Sequence, residues 1–492
     1  VEAIPDPQFQ AGLHSLVMEG VHAQIVGALT GGVLLVGFAL SLGASNFVIG
    51  LLPAVPFLAQ LAQIPAIMLI EKVRRRRPVT VIASVASRLL LLPLAFLPFF
   101  GAGPLSLGLL ILGIAAHAGL GAVAACSWNS WMHDLIPDQM LGSFFGNRLF
   151  YATAFAMIAG LFGGGFVDVW AKLHPQHAIF GYMPLFLLAA AAGGLSSWYL
   201  SRVPEPPMLA PERKVNLRHM VAEAFHDPNF RRLLVFLGSW NFAVNLAAPF
   251  FAVYLVQELH FEIAFVTVLM VISQLANMLC LRQWGRLSDR FSNKTVLAVC
   301  APLFLLCILA WTYTALPERH ALTVPLLFVI HIAMGISSAG ITLASGNICL
   351  KLAPQGRATA FLATSSMVNS LAAGIAPILG GLFADDFASR EIALLLRWST
   401  DVATGEVLTL KIRHWDFFFG FAFIIGLYAL HRLSMIREEG EVREKILVQE
   451  MMIDARRTMQ NLSPIAGLRI LTTFPFGQLL HNARRKRMRP RT

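Results

Sequence analysis

The chain has 492 residues, 57% of them hydrophobic and only 13% charged, with a mean hydropathy of +0.67 and a formal net charge of +11. Soluble domains carry roughly 25% charged residues, so a conventional soluble protein is excluded. Runs of eighteen or more apolar residues recur along the whole length and read as membrane-spanning helices. A β-barrel would show shorter, alternating segments, and open strands would leave backbone groups without partners in lipid.

Twelve spans are predicted, at roughly 17–42, 46–70, 79–100, 105–132, 145–170, 178–201, 230–256, 261–283, 295–315, 321–349, 357–384 and 414–434. Residues 1–16 lack a basic n-region and a cleavage site, so span 1 is expected to stay as a helix and direct insertion. Gln60 and Gln63 share a face of span 2, which runs into the basic stretch "LIEKVRRRRP". Arg88 lies about nine residues into span 3, roughly 13 Å deep. It is too costly there to be incidental: it holds an anionic solute, or it packs on polar groups between helices. His117 falls near the centre of span 4, which ends at "HDLIPDQMLG". Carboxylates within the spans are few and shallow, Glu19 in span 1 and Asp168 near the far end of span 5, which gives classical proton antiport little support.

The linker "SRVPEPPMLAPERKVNLRHMVAEAFHDPNFRR" (201–232) divides the spans six against six and is expected to hold a short amphipathic surface helix. In span 7, Asn241, Asn245 and Pro249 recur every four residues and share one face, with Pro249 loosening the backbone. Gln274 and Asn277 do the same in span 8. The loop after it, "WGRLSDRFSNK", packs charges between two apolar runs, and His331 lies some ten residues into span 10. The segment 385–413 contains the alternating "EVLTLKIRH" and predicts a small hairpin. From 435 to 492 the tail is charged, then apolar, then strongly basic. It suits a segment lying on anionic lipid, or a disordered tail that binds a protein partner.

With the N-terminus taken as cytoplasmic, 31 of the 38 Lys and Arg fall on the cytoplasmic side and six opposite, with Arg88 inside a span. This is the positive-inside asymmetry of an even number of spans, so the basicity reports orientation and not nucleic-acid binding. The five cysteines sit in or beside apolar spans at no metal-ligand spacing. No phosphate-binding loop and no nucleophile–base arrangement occurs, so neither ATP, a cofactor nor enzyme chemistry is expected.

The two sets of six spans repeat one another. Glu71 matches Asp289 at an offset of 218 and Pro137 matches Pro354 at 217, while His117 and Gly121 match His331 and Gly335 at 214. Two parallel six-helix halves are expected, residues 1–201 and 230–434, joined by the linker 202–229. The loop "GRLSDRFSNK", with Gly285, Asp289, Arg290 and Lys294, resembles the signature of the major facilitator superfamily of secondary transporters, as does the pattern around Pro137. The first-half copy departs from it: Glu71 stands for the aspartate, Ile67 for a glycine and Arg74 for the second glycine.

The resemblance implies an all-α fold of two pseudo-symmetric bundles that rock about a central site. Gly285 would let span 8 approach a neighbour from the other half, Asp289 would accept from a facing helix end, and Arg290 and Lys294 would reach a partner carboxylate. Glu71 with Arg75 would be the first-half equivalent, with Asp134 in reach. The bland reading, in which the cations only set orientation, is favoured for Arg74, Arg76 and Arg77. Gln60, Gln63, Arg88, His117, Asn241, Asn245, Gln274, Asn277 and His331 are the candidate pathway residues. Amides also serve simply as helix–helix contacts and histidines as neutral groups bonded to a carbonyl. The expectation is a transporter in the inner membrane of a bacterium, both termini cytoplasmic. It would move a neutral or amphipathic organic solute by alternating access, with protons the candidate coupling ion and lipids its surroundings. The rival is a transporter fold that no longer transports and assembles or anchors another membrane complex.

Overall fold

The computed structural model describes residues 7–207, 224–315, 320–353, 358–387, 392–399, 404–412 and 414–438. Span 1 comprises helices Pro7–Thr30 and Gly32–Ser41; it begins at Pro7, not near 17. Span 2 is a broken helix, Asn46–Ala59, one 3-10 turn at Gln60–Ala62, then Gln63–Val73. Pro65 has no N–H to donate to the Leu61 carbonyl and its ring crowds that group, which accounts for the break. Spans 3 to 6 are Arg76–Leu89 with Leu91–Ala95, Pro104–Leu135, Asp138–Leu173 and Tyr182–Leu200. Spans 7 to 12 are Pro228–Val253, Ile263–Arg290, Asn293–Ala310, Thr323–Leu352, Ala358–Phe387 and His414–Ser434. Span 7 carries Pro249 without a break and ends in one π turn, Tyr254–Glu258. Among the described residues eleven helices are long and apolar enough to cross a membrane, and the bent span 2 is the twelfth.

The packing repeats. In the first half span 1 packs on 5 and 6, span 4 on 2 and 3, and span 3 on 6; in the second, span 7 packs on 11 and 12, span 10 on 8 and 9, and span 9 on 12. The halves meet through span 5 against 8 and span 2 against 11, which are equivalents of one another. One hairpin interrupts the helices: β1 (Ile392–Ser399) pairs antiparallel with β2 (Thr404–Ile412), with a register shift between Leu394 and Leu395. The expected linker helix around 208–223 and the tail beyond 438, with its expected lipid or protein contacts, lie outside the described residues, as does Pro354.

Candidate functional site

Four carboxylates organise the ends of this helical assembly, each at the first two backbone N–H groups of a helix, where no intrahelical acceptor exists. Two of them join the halves. The N–H groups of Ile263 and Ala264, opening span 8, donate to Asp168 at the end of span 5, at 3.2 and 2.5 Å. The N–H groups of Asn46 and Phe47, opening span 2, donate to Asp385 at the end of span 11, at 3.0 and 2.9 Å. Each residue of the second contact differs from its counterpart in the first by 217 positions. Small residues allow the approach: a Cβ on Gly164 would fall 2.8 Å from Thr267 Oγ1, and one on Gly381 would fall 2.7 Å from Phe47 Cα. A surface ion pair, Lys172 Nζ to Glu262 Oε1 at 2.6 Å, lies beside the first contact. These latches close the face opposite the basic loops.

On the basic face the contacts run within each half. Glu205, just after span 6, accepts from the N–H groups of Arg76 and Arg77, the latter at 3.1 Å, and so caps span 3. Glu438, just after span 12, accepts from Asn293 N at 3.3 Å and Lys294 N at 2.7 Å and so caps span 9. Asp134 pairs with Arg76 at 2.6 Å and not with Arg75, which is exposed; Arg76 is therefore more than an orientation signal. In the second half Lys351 takes the place of Asp134 and pairs with Glu438 at 3.0 Å.

Around Gly285 and Lys294 the described contacts run within the second half. A Cβ on Gly285 would meet Leu343 of the same half at 3.7 Å, an ordinary contact. Asp289 and Arg290 are exposed, the Arg290 guanidinium lying 5.1 Å from the Phe291 ring centroid. Lys294 is buried, and its Nζ donates to Ser434 O at 3.3 Å in its own half. Nothing is described of the Glu71 side chain. Arg74, standing where the superfamily signature has glycine, adopts φ 56° and ends the second helix of span 2. The left-handed turn survives the loss of the glycine that would favour it.

A cavity of about 520 Å³ opens among spans 7, 9, 10 and 11, within the usual range of small-molecule sites. Of its eighteen lining residues only Phe57, three residues before the break in span 2, comes from the first half. The site expected between the halves is thus built almost wholly by the second. Asn241 lines it and donates to Asn369 Oδ1 at 3.1 Å; Asn245 donates to Asn241 O at 2.8 Å one turn away. Sequence reasoning missed the hydroxyl rows that complete the wall, Ser338, Thr342 and Ser345 on span 10 and Ser366 and Ser370 on span 11.

The other candidates lie elsewhere. Gln60 accepts from Gln63 Nε2 within span 2, and neither lines the cavity; nor do Gln274 and Asn277 of span 8. His331 is buried, its Nδ1 2.8 Å from Leu327 O and its ring against Trp311, which is the bonded, neutral role. His117 and Arg88 form one cluster between spans 3 and 4. Nδ1 of His117 lies 2.9 Å from Ser87 O, and its Nε2 lies 3.4 Å from Arg88 Nη1. Donation from Nδ1 to the carbonyl leaves Nε2 as the acceptor for Arg88, so a second ring proton would face a guanidinium. The stem of Arg88 packs where Gly193 of span 6 leaves room. The pairing of the two histidines across the halves fails: the residue 217 positions after His117 is Met334. Glu19, in contrast, is buried and pairs with Arg148 of span 5 at 2.6 Å, and Arg148 lies 4.9 Å from the Trp128 ring centroid.

Comparison with known proteins places this geometry. The family model described as Major Facilitator Superfamily matches residues 23–377 and again 241–483. No curated protein matches in sequence. Among solved structures the chain is similar to a point mutant of the nucleoside transporter NupG, with a TM-score of 0.65 at 13% identity, covering 87% of this chain and 100% of that one. A bacterial homologue of the human lysosomal transporter Spinster, inward-facing and unoccupied, gives 0.59 at 16%, covering 78% and 84%. A POT family transporter in complex with a thioalcohol-conjugated peptide gives 0.58 at 12%, covering 88% and 96%. Identities this low speak for the fold alone, whereas the family match spans most of the sequence. The chain belongs to the Major Facilitator Superfamily and is a multi-pass membrane transporter.

Proposed function

We propose that the protein is a secondary active transporter that carries a small, neutral or amphipathic organic solute across a bacterial inner membrane by alternating access. Residues 1–201 and 230–434 act as the two moving halves, with the basic face and both termini cytoplasmic. The observation that carries this reading is the matched pair of carboxylate contacts, Asp168 on span 8 and Asp385 on span 2, which tie the halves at one face only. With the halves tied at that face, we read the arrangement as inward-open. In the alternate state the "GRLSDR" loop would engage and the two latches would part.

Protons are the proposed coupling ion. Glu19 is a buried carboxylate with one ion partner, whereas both ring nitrogens of His117 are already engaged. The accessory role drew on the departures in the first-half loop and on the long basic tail, which beyond 438 lies outside the described residues. That loop is nevertheless ordered by Asp134 and Glu205, and nothing in it favours a scaffold.

The test is solute uptake into proteoliposomes under an imposed pH gradient. Wild type should accumulate a neutral solute, and Asp168→Asn with Asp385→Asn should slow net uptake. A wild type that moves no solute of any class, with distances between the halves that never change, overturns the reading.

A further inference from the structure

The cavity has a filled counterpart in the first half, at the same 217-residue spacing. Trp128, Arg148 and Glu19 correspond to Ser345, Ser365 and Phe236. In the first half the Arg148 guanidinium lies over the Trp128 indole and pairs with Glu19, so an aromatic ring and an ion pair occupy the place where spans 1, 4 and 5 meet. In the second half two serines stand where the indole and the guanidinium would be, and both line the open space. The Ser345 hydroxyl is buried with no hydrogen-bond partner. An unsatisfied buried hydroxyl is destabilising unless something fills the space and bonds to it.

The lining chemistry describes that something. No Asp, Glu, Lys, Arg or His occurs among the eighteen residues, so a charged solute would lose hydration without compensation. Ser338, Thr342 and Ser345 recur at intervals of four and three on span 10, and Ser366, Asn369 and Ser370 share one face of span 11. Hydroxyls both donate and accept, and so suit neutral groups of either kind. Trp240 and Phe304 also line the cavity, their ring centroids 5.9 Å apart in an edge-to-face arrangement. Hydroxyl and amide groups together with an aromatic pair fit a ring with an apolar face and several hydroxyl or amide groups on its edge.

Building on the transporter reading above, we infer that the solute is a neutral polyhydroxylated or amide-bearing ring compound, gripped by the second half with Phe57 as the contact from the first. The experiment is binding to the purified full-length chain in detergent, by calorimetry and ligand-induced thermal shift. The neutral probes are hexoses, methyl glycosides and nucleosides. They are set against charged counterparts (uronic acids, amino sugars, nucleoside monophosphates) and apolar rings (cyclohexanol, indole).

At least one neutral probe should bind, with its charged counterpart weaker by about 30-fold or more, a conservative outcome for an uncompensated charge. Ser345→Ala should weaken binding by about 5- to 10-fold, the loss of one hydrogen bond. Ser345→Trp and Ser365→Arg install the first-half residues and should abolish it. Melting of the unliganded variants and the spacing between their halves monitor folding. A charged or apolar probe as the tightest binder, or neutral binding that survives both filled variants, overturns the assignment. So does the absence of neutral binding in a protein that still transports, an outcome that leaves the transporter reading standing. If nothing is transported and the halves do not move, that reading itself is what fails.

Discussion

Removing the charge from Asp168 tests whether its contact holds the halves together. In Asp168→Asn one oxygen can still accept from span 8, but the other contact becomes an amide N–H facing a backbone N–H. The loss is one charge-assisted hydrogen bond, about 1.5–3 kcal/mol, together with a charge–dipole interaction of up to about 1 kcal/mol. Asp168 is half-buried, so solvent screens part of this, and about 2 kcal/mol is expected, roughly a 30-fold shift toward the unlatched form. Asp385 is more exposed, so Asp385→Asn should shift the balance less, by about 1 kcal/mol or some fivefold. The double variant should show close to the product of the two, since the sites share no partner. Lys172→Ala should change nothing measurable, because the Lys172 and Glu262 side chains are 64% and 55% exposed and salt screens the pair. The assay is pulsed electron paramagnetic resonance between spin labels at Leu173 and Leu322, exposed positions in the two halves, with the five native cysteines replaced. A longer-distance population should grow in the order Asp385→Asn, Asp168→Asn, double variant. An unchanged distance distribution in the double variant would refute the claim that these carboxylates latch the halves.

Three further outcomes follow from individual contacts. Arg148→Met leaves Glu19 buried without its partner and should destabilise the first half by about 3–5 kcal/mol, seen as a large drop in melting temperature. Adding Glu19→Gln should recover most of that loss, and a double-mutant cycle measures it. Phe57→Ala removes one partly exposed aromatic contact, so solute affinity should fall by less than about fivefold, near 1 kcal/mol. The transport rate in proteoliposomes should fall further, because the contact of the first half with the bound solute is lost. Arg74→Gly places glycine at a φ of 56° and should stabilise the loop by about 1 kcal/mol, raising the melting temperature by a degree or two.

Much of the fold was legible because burial in lipid leaves long apolar runs, and the repeat was legible because loop chemistry punctuates them. Span 1 was started too late because "PQFQAGLHSL" mixes polar and apolar residues and fails an apolar count, although it is helical. The latches carried a readable signal that loop matching passed over: "GGGFVD" and "GGLFAD" share two glycines, the phenylalanine and the aspartate at 217 residues. Judged by depth alone, Asp168 looked like an ordinary span end. The hydroxyl rows were not decidable from sequence, because serines in membrane helices often bond back to their own helix. Ser337 does so to Ala333 O at 2.7 Å, while Ser338 beside it lines the cavity. The partnership of Glu19 with Arg148 needs spans 1 and 5 side by side, which no local pattern announces.

The two halves agree at the carboxylate contacts that join them and differ in their interiors, and mechanics accounts for both. A latch across a pseudo-twofold axis works only if each half presents the same partner at the same height, so aspartate, glycine and helix start recur together at 217. A cap inside one half has no such restriction and needs only local charge balance. There the polarity is free to invert: Asp134 with Arg76 beneath Glu205 in one half, Lys351 with Glu438 in the other. Freedom is greatest at the inner sites that neither latch nor cap. In one half an ion pair and an indole close the space, and in the other two serines leave it open. On the proposed function, the symmetric contacts would serve motion and the asymmetric interior solute recognition. Filling the cavity through Ser345→Trp should accordingly abolish solute binding while leaving the latch distances as they are in wild type.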